Sequence, residues 1–165
     1  MAASEREKER KMSFYIEAFG NIVFESEAAA AAAKAFLVEG GWLKGAGGSN
    51  DVLCWAGSDR TIPKRGNELR LHTGLQNGLN VALDRIFEEW GGFVKTDEAE
   101  LRAISFDGGC WLKELRGGEL VLLSDDEMLD AVGCTESGYI NLLDSGEMGR
   151  VYEIEDRARA WVAFK

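Results

Sequence analysis

The sequence predicts an α+β domain built on a mainly antiparallel sheet, with two principal helices packed on one face of that sheet. An alanine-rich segment and an amphipathic segment predict the two helices, and short alternating segments between glycine-rich turns predict the strands. A chain of 165 residues is long enough for one domain with a sizeable core. We expect residues 12–165 to form this single domain and residues 1–11, which are charged and lack an apolar face, to form a mobile tail.

The first strand and the first helix are predicted close to the start of the domain. Residues 13–24 alternate apolar and polar side chains, and Gly20 with Asn21 predicts a hairpin turn or a bulge within them. Ser26 suits the N-cap of a helix, and the six alanines that begin at residue 28 are the strongest helix formers. We expect this helix to end at Gly40, the first residue of a Gly-Gly pair.

The clearest helix signal lies in residues 73–94. Thr73 and Gln76 have the spacing of a capping box, and the Gly-Gly pair at residues 91–92 predicts a left-handed helix end. Seven apolar side chains recur at spacings of three and four and should face the sheet. These residues are Leu75, Leu79, Ala82, Leu83, Ile86, Phe87 and Trp90.

A faint internal repeat links the two predicted helices. Each ends in phenylalanine, three other residues, two glycines and an aromatic residue, starting at Phe36 and at Phe87. One interpretation is a pair of ferredoxin-like βαβ halves. The alternative is that Gly-Gly is a common helix stop, after which an aromatic side chain returns to the core.

The second half of the chain predicts strands around one short helix. Residues 110–115 and 120–123 predict a hairpin around a Gly-Gly turn. Ser124 and Glu127 form a capping box that opens a helix over residues 125–132. The other segments with strand patterns are residues 51–56, 68–72, 101–107, 139–143, 151–154 and 158–164. We therefore expect a β-rich C-terminal half that ends in a hairpin.

The net charge of −10 is concentrated in the second half of the chain. Residues 97–156 carry four bases and sixteen acids, a net charge of −12, whereas the remainder of the chain sums to +2. An acidic field of this size repels nucleic-acid phosphates and favours a protein partner with a basic surface. Solubility alone is the alternative explanation.

Cysteine usage and hydropathy bear on the compartment. Cys54, Cys110 and Cys134 are odd in number and widely spaced, which predicts free thiols and a reducing cytoplasm. No apolar run is long enough to cross a membrane, and the charged N-terminus lacks a signal-peptide core, so we expect no membrane association. No motif predicts a cofactor or a metal site.

The densest acidic run is the main candidate site. Its carboxylates suit a basic partner, and the alternative is that they stabilise a helix N-terminus. The residues predicted to bind a partner are Asp125, Asp126, Glu127, Asp130 and Trp111, the last as an aromatic anchor if it is exposed. A basic cluster of Arg60, Lys64 and Arg65 could hold an anion, or could pair with the acidic half of the chain.

These observations favour a small acidic, non-enzymatic protein-binding module of the inhibitor, immunity or nucleic-acid-mimic type. Two alternatives remain open. A small enzyme could use Cys54 as nucleophile and His72 as base, with the basic cluster holding an anionic substrate. A structural homo-oligomer could assemble through an exposed edge strand.

Overall fold

The computed structural model describes residues 15–39, 66–106 and 109–164, except for the side chains of Tyr15, Val38 and residues 72–77. Within these residues, five strands form one antiparallel sheet and five α-helices cover it. The strands are β1 (Tyr15–Val23), β2 (Glu68–Asn77), β3 (Glu100–Ser105), β4 (Trp111–Arg116) and β5 (Glu119–Leu122). The helices are α1 (Glu27–Glu39), α2 (Leu79–Trp90), α3 (Asp125–Val132), α4 (Glu136–Asp144) and α5 (Met148–Val162). The predicted α+β class with a mainly antiparallel sheet is confirmed.

β1 lies inside the sheet, whose strand order is β2-β1-β3-β4-β5. The predicted hairpin or bulge at Gly20 and Asn21 is wrong, because both residues continue one strand that pairs with β2 and with β3. Gly20 is needed for a different reason. It has a φ of 138°, and a Cβ there would clash with the carbonyl oxygen of Glu100 and lie 2.8 Å from the Cα of Leu101.

β2 is longer than the sequence predicts, and α2 starts later. The predicted capping box of Thr73 and Gln76 is wrong, because these residues pair with Ala18 and Ile16 of β1. The helix begins at Leu79, after Gly78 in the left-handed conformation. Gly91 continues it in a right-handed conformation into a short 3₁₀ helix, so the predicted left-handed end is also wrong. Tertiary strand pairing has overridden the local helix signal.

One half of the predicted ferredoxin-like repeat is present among the described residues. β2 and β3 are both antiparallel to β1 and flank it, so β2, α2 and β3 form a split βαβ unit. The strand predicted to follow α1 in the first half, residues 51–56, lies outside the described residues, and β2, the next described strand, is an antiparallel neighbour of β1. The repeat therefore stays a prediction for the first half.

Each face of the sheet has its own hydrophobic core. The predicted pair of helices, α1 and α2, covers one face. Buried residues of this first core include Ile16, Ala18, Ala33, Leu37, Leu83, Ile86, Leu101 and Trp111. The other face is covered by α3, α4 and α5. Buried residues of this second core include Ile104, Cys110, Leu112, Met128, Val132, Tyr139, Val151 and Ala158.

The C-terminal half is less rich in strands than predicted. The β4–β5 hairpin around Gly117 and Gly118 and the capped helix α3, which ends at Gly133, are confirmed. The strands predicted over 139–143, 151–154 and 158–164 are wrong, because α4 and α5 occupy these segments. Short apolar runs do not distinguish a strand from a buried helix. These segments form helices that cover the second apolar face of the sheet. The predicted strand over 51–56 lies outside the described residues.

None of the described helices is both long and apolar enough to span a bilayer. The longest, α5, has 15 residues, whereas a spanning helix needs about 20 predominantly apolar ones.

Two glycines bring α2 and the β4–β5 hairpin into backbone contact. A Cβ built on Gly91 would clash with the carbonyl oxygen of Gly118, and a Cβ on Gly118 would clash with that of Gly91. Gly92, the next residue, has no atom within 4 Å of the position of a Cβ. The contact thus fixes the end of α2 over the edge of the sheet.

We expect Gly91→Ala to destabilise the protein and Gly92→Ala to leave its stability nearly unchanged. Gly91 has a helical φ of −58°, so the added methyl group brings no backbone strain and acts only through the clash. Overpacking of this kind costs about 1–3 kcal/mol. Urea unfolding of both variants and the wild-type protein measures the difference, and equal free energies of unfolding for the two variants would contradict this account of the contact.

Candidate protein-binding surface

The acidic run starts with a fully formed capping box at the beginning of α3. The Ser124 hydroxyl accepts a hydrogen bond from the backbone N–H of Glu127, at 3.3 Å. The carboxylate of Glu127 accepts one in return from the backbone N–H of Ser124, at 3.1 Å. This reciprocal pair satisfies two backbone donors that a helix start otherwise leaves unbonded.

Glu127 also joins α3 to the sheet. Its carboxylate forms an ion pair with the Arg116 guanidinium of β4, which in turn bonds Glu114 at 3.1 Å. The hydrogen bond from Arg116 and the bond to the Ser124 backbone lower the pKa of Glu127 from its usual 4.5 to about 2. Of the predicted partner-binding residues, Glu127 therefore has an architectural role.

The structure separates the other predicted partner-binding residues. Asp125, Asp126 and Asp130 are exposed on α3, as a docking surface requires. Trp111 is only 5% exposed and packs in the core on the opposite face of the sheet, under α1 and α2. A ring with so little accessible surface cannot anchor a partner. Trp111 therefore does not form one binding surface with Asp125, Asp126 and Asp130.

Four exposed apolar side chains lie in the same helical layer as these carboxylates, and sequence reasoning missed them. They are Leu129, Leu143, Met148 and Tyr152. Tyr152 is 57% exposed, and Met148 precedes it by one helical turn on α5. The signal was present in the sequence, since Val151, Ile154, Ala158 and Val162 have helical spacing and are buried, which leaves Met148 and Tyr152 on the solvent side.

The layer is strongly acidic. Residues 125–162, which span α3, α4 and α5, contain ten carboxylates and three arginines, a net charge of −7. Two of the three arginines contact carboxylates. The Arg157 Nη2 atom lies 3.3 Å from Oε1 of Glu153, and the Arg159 Nε atom lies 3.4 Å from Oε2 of Glu17 in β1.

Polar contacts hold α5 against the sheet and against α4. The Arg102 guanidinium of β3 donates a hydrogen bond to the carbonyl oxygen of Trp161, at 2.8 Å, near the end of α5. The same guanidinium stacks on the Trp161 ring, 4.6 Å from its centroid. The Tyr139 hydroxyl of α4 donates to the Glu155 carboxylate of α5 at 2.8 Å. These contacts hold α5 against the sheet and α4 against α5.

The buried Cys110 thiol, in the core beneath this layer, is poorly suited to catalysis. Burial, together with the nearby Cys134 and two glutamates, raises the pKa of Cys110 from 9.0 to about 12. The thiolate is the nucleophilic form, so a thiol with this pKa is inert near neutral pH. Burial also raises the pKa of the Tyr139 hydroxyl, and its hydrogen bond to Glu155 acts in the same direction.

Most residues of the alternative enzyme hypothesis lie outside the residues that the structure describes. Cys54 and the basic cluster of Arg60, Lys64 and Arg65 lie outside the described residues. The His72 backbone is part of β2, away from the predicted strand-to-helix junction, and its side chain is not described. Among the residues that the structure describes, no three His, Cys, Asp or Glu side chains are grouped to hold a metal ion.

We expect Glu127→Gln to lower the free energy of unfolding at pH 7. We also expect the free energy of unfolding of the variant to fall less than that of the wild-type protein as the pH is lowered from 4.5 toward 2. Because the folded-state pKa of about 2 lies below the usual 4.5, the stabilisation by Glu127 is complete above pH 4.5 and is lost as the pH falls toward 2. The difference in free energy of unfolding between wild type and variant should therefore shrink over that interval. Urea unfolding across a pH series measures it.

Asp126→Asn is the matched control for this change, because Asp126 is an exposed carboxylate one residue earlier in the same helical turn. It removes the same charge from the helix start but leaves the capping box and the Arg116 ion pair intact. A loss of stability as large as that of Glu127→Gln would show that the general helix-dipole term, not the specific contacts, dominates.

Comparisons with protein families, with curated proteins and with solved structures find no match to this chain.

Proposed function

We propose that this protein is a non-enzymatic binding module that docks its acidic helical layer on a basic surface of a protein partner. The binding surface comprises the exposed carboxylates of α3 and the exposed apolar side chains of the layer. Its proposed members are Asp125, Asp126, Asp130, Leu129, Leu143, Met148 and Tyr152. An inhibitor, an immunity protein or a nucleic-acid mimic would use such a surface in the same way.

The observation that carries the proposal is the presence of exposed apolar side chains within a strongly acidic layer. Protein interfaces combine apolar anchors, often tyrosine, with a polar or charged surround. Tyr152 is 57% exposed and Met148 is 39% exposed on the same face of α5. The surrounding carboxylates would steer a basic partner toward these anchors and accelerate association.

Solubility is the competing explanation for the charge, and it accounts for less of the surface. Excess negative charge improves solubility wherever it is placed, and exposed methionine and tyrosine side chains work against it. A docking surface accounts for both features and for their occurrence in one layer.

The test is capture of a partner from a lysate of the native host by the immobilised protein. The capture is run at about 50 mM and at about 500 mM salt. Between these two concentrations the electrostatic screening length falls from over about 10 Å to under about 5 Å. We expect one predominant basic protein at low salt and its loss at high salt. Replacing Asp125, Asp126 and Asp130 together with lysine should lower its association rate by about tenfold or more.

The matched control replaces Glu25, Glu39 and Glu89 with lysine, which changes the net charge equally on exposed residues outside the acidic layer. Capture should persist in this variant, and Tyr152→Ala should weaken it without changing the net charge. Equal loss of capture in both lysine variants would show that only the total charge matters and would remove the acidic layer as the docking site.

A further inference from the structure

Glu114 of β4 is a single carboxylate shared by two arginines, on the face of the sheet beneath the acidic layer. Its Oε1 atom lies 3.1 Å from Nε of Arg116, two residues later in β4. Its Oε2 atom lies 3.5 Å from Nε of Arg102, the residue directly opposite in β3. Ile104 and Leu112, each two residues away in the same strands, belong to the core under α3, α4 and α5. The three charged side chains therefore point toward these helices.

Each of the two arginines also holds one end of a helix in the acidic layer. Arg116 forms an ion pair with Glu127 at the start of α3. Arg102 donates a hydrogen bond from its Nη1 atom to the carbonyl oxygen of Trp161, at 2.8 Å, near the end of α5. The shared carboxylate of Glu114 therefore completes a continuous chain of polar contacts from the start of α3 to the end of α5.

The two arginines compete for this carboxylate. The Arg116 Nε atom donates a hydrogen bond of 3.1 Å to Glu114. The Arg102 Nε atom is buried and has no hydrogen-bond partner among the described residues, so its 3.5 Å separation from Glu114 is that of a loose ion pair. A buried donor without its hydrogen bond is costly, and a small movement of the carboxylate toward Arg102 would satisfy it at the expense of Arg116. The balance between the two arginines therefore sets the position of the carboxylate.

We propose that Glu114 is a positioning residue of the acidic layer, which couples the start of α3 to the end of α5 by dividing its carboxylate between Arg116 and Arg102. If Arg116 loses its contact with Glu127, it draws the Glu114 carboxylate toward itself. Arg102 then loses the group that orients its guanidinium toward the end of α5, and the last turn of α5 opens more often.

The coupling bears on docking because the two helices carry different parts of the proposed binding surface. α3 carries the exposed Asp125 and Asp126 at the end that Glu127 holds, and α5 carries the exposed Met148 and Tyr152. A basic group of the partner that attracts Glu127 would therefore change how firmly the end of α5 is held. This consequence rests on the proposed function, whereas the coupling itself is a property of the free protein.

Amide hydrogen exchange of the ¹⁵N-labelled protein at pH 7 measures the coupling. At the end of α5, the backbone N–H groups of Ala163 and Phe164 donate to the carbonyl oxygens of Arg159 and Trp161, at 3.2 and 3.1 Å. We expect Glu127→Gln to speed the exchange of both amides by about two- to fivefold, the effect of weakening one partly exposed ion pair. Amides at a helix end exchange by local opening, so a general loss of stability leaves their exchange rates unchanged.

Two substitutions of Glu114 show whether its carboxylate carries the effect. Glu114→Gln leaves one carbonyl acceptor, which can serve only one of the two arginines. Glu114→Asp keeps the charge but is shorter by one methylene group, so its oxygens lie farther from both guanidinium groups. In either background, Glu127→Gln should leave the exchange of Ala163 and Phe164 unchanged. Equal acceleration in the wild-type and Glu114 backgrounds, or no acceleration in the wild-type background, would overturn the proposal.

Asp126→Asn is again the matched control, because it removes one charge from the same helical turn and leaves the ion pair of Glu127 in place. It should not change the exchange of the Ala163 and Phe164 amides. Acceleration as large as that of Glu127→Gln would show that charge at the start of α3 acts at long range, and would reject Glu114 as the positioning residue.

The coupling and the docking proposal can fail separately. Amide exchange of the free protein decides the coupling and needs no partner, whereas capture of a partner is decided by the charge reversal at α3. Capture that is lost in the α3 lysine variant, together with unchanged exchange in Glu127→Gln, would reject the coupling alone. Exchange that depends on Glu114 as expected, without capture of any partner, would reject the docking proposal alone.

Discussion

The structure depends on a sheet whose inner strands carry apolar side chains on both faces. In β3, Leu101 belongs to the core under α1 and α2, whereas Ile104 belongs to the core under α3, α4 and α5. Trp111 and Leu112 repeat this division in β4. Neither face can be left to water without losing the free energy of burying these side chains, so the chain after β5 has to supply a second helical cover. The acidic surface is the solvent side of that cover.

Elements with a self-contained local signal were predictable from the sequence. The hairpin at Gly117 and Gly118 needs residues that tolerate positive φ, and the start of α3 needs only the Ser124 and Glu127 pair, so both can be identified without tertiary information. The start of α2 could not be identified in this way. Thr73 has a helical capping signal, but the competing pairing with Ala18 of β1 is a contact between distant parts of the chain.

The C-terminal helices show a different reason for error. Val151, Tyr152 and Ile154 favour strands by composition, and a window this short hides the helical spacing that appears only when Ala158 and Val162 are included. Two strands over this segment would alternate its side chains between two faces, so the strand pattern does not indicate that Met148 and Tyr152 share a surface. The negative charge of the candidate site could therefore be predicted, because it depends on composition alone. Its exposed apolar side chains could not be predicted, because they depend on which residues of the helix face the solvent.

The carboxylates of the acidic layer do not all have the same role, and this distinction bears on what the layer is for. Glu127 caps α3 and pairs with Arg116, and Glu155 accepts the hydrogen bond of Tyr139. A residue with such contacts is explained by folding alone. Asp125 and Asp130 are exposed in the same layer, and exposed acidic residues contribute little to stability beyond the helix-dipole effect, which is confined to the first turn. Asp130 lies beyond that turn, so the helix-dipole effect does not explain its charge, and its neighbour Leu129 is exposed as well, which supports the proposed recognition of a partner.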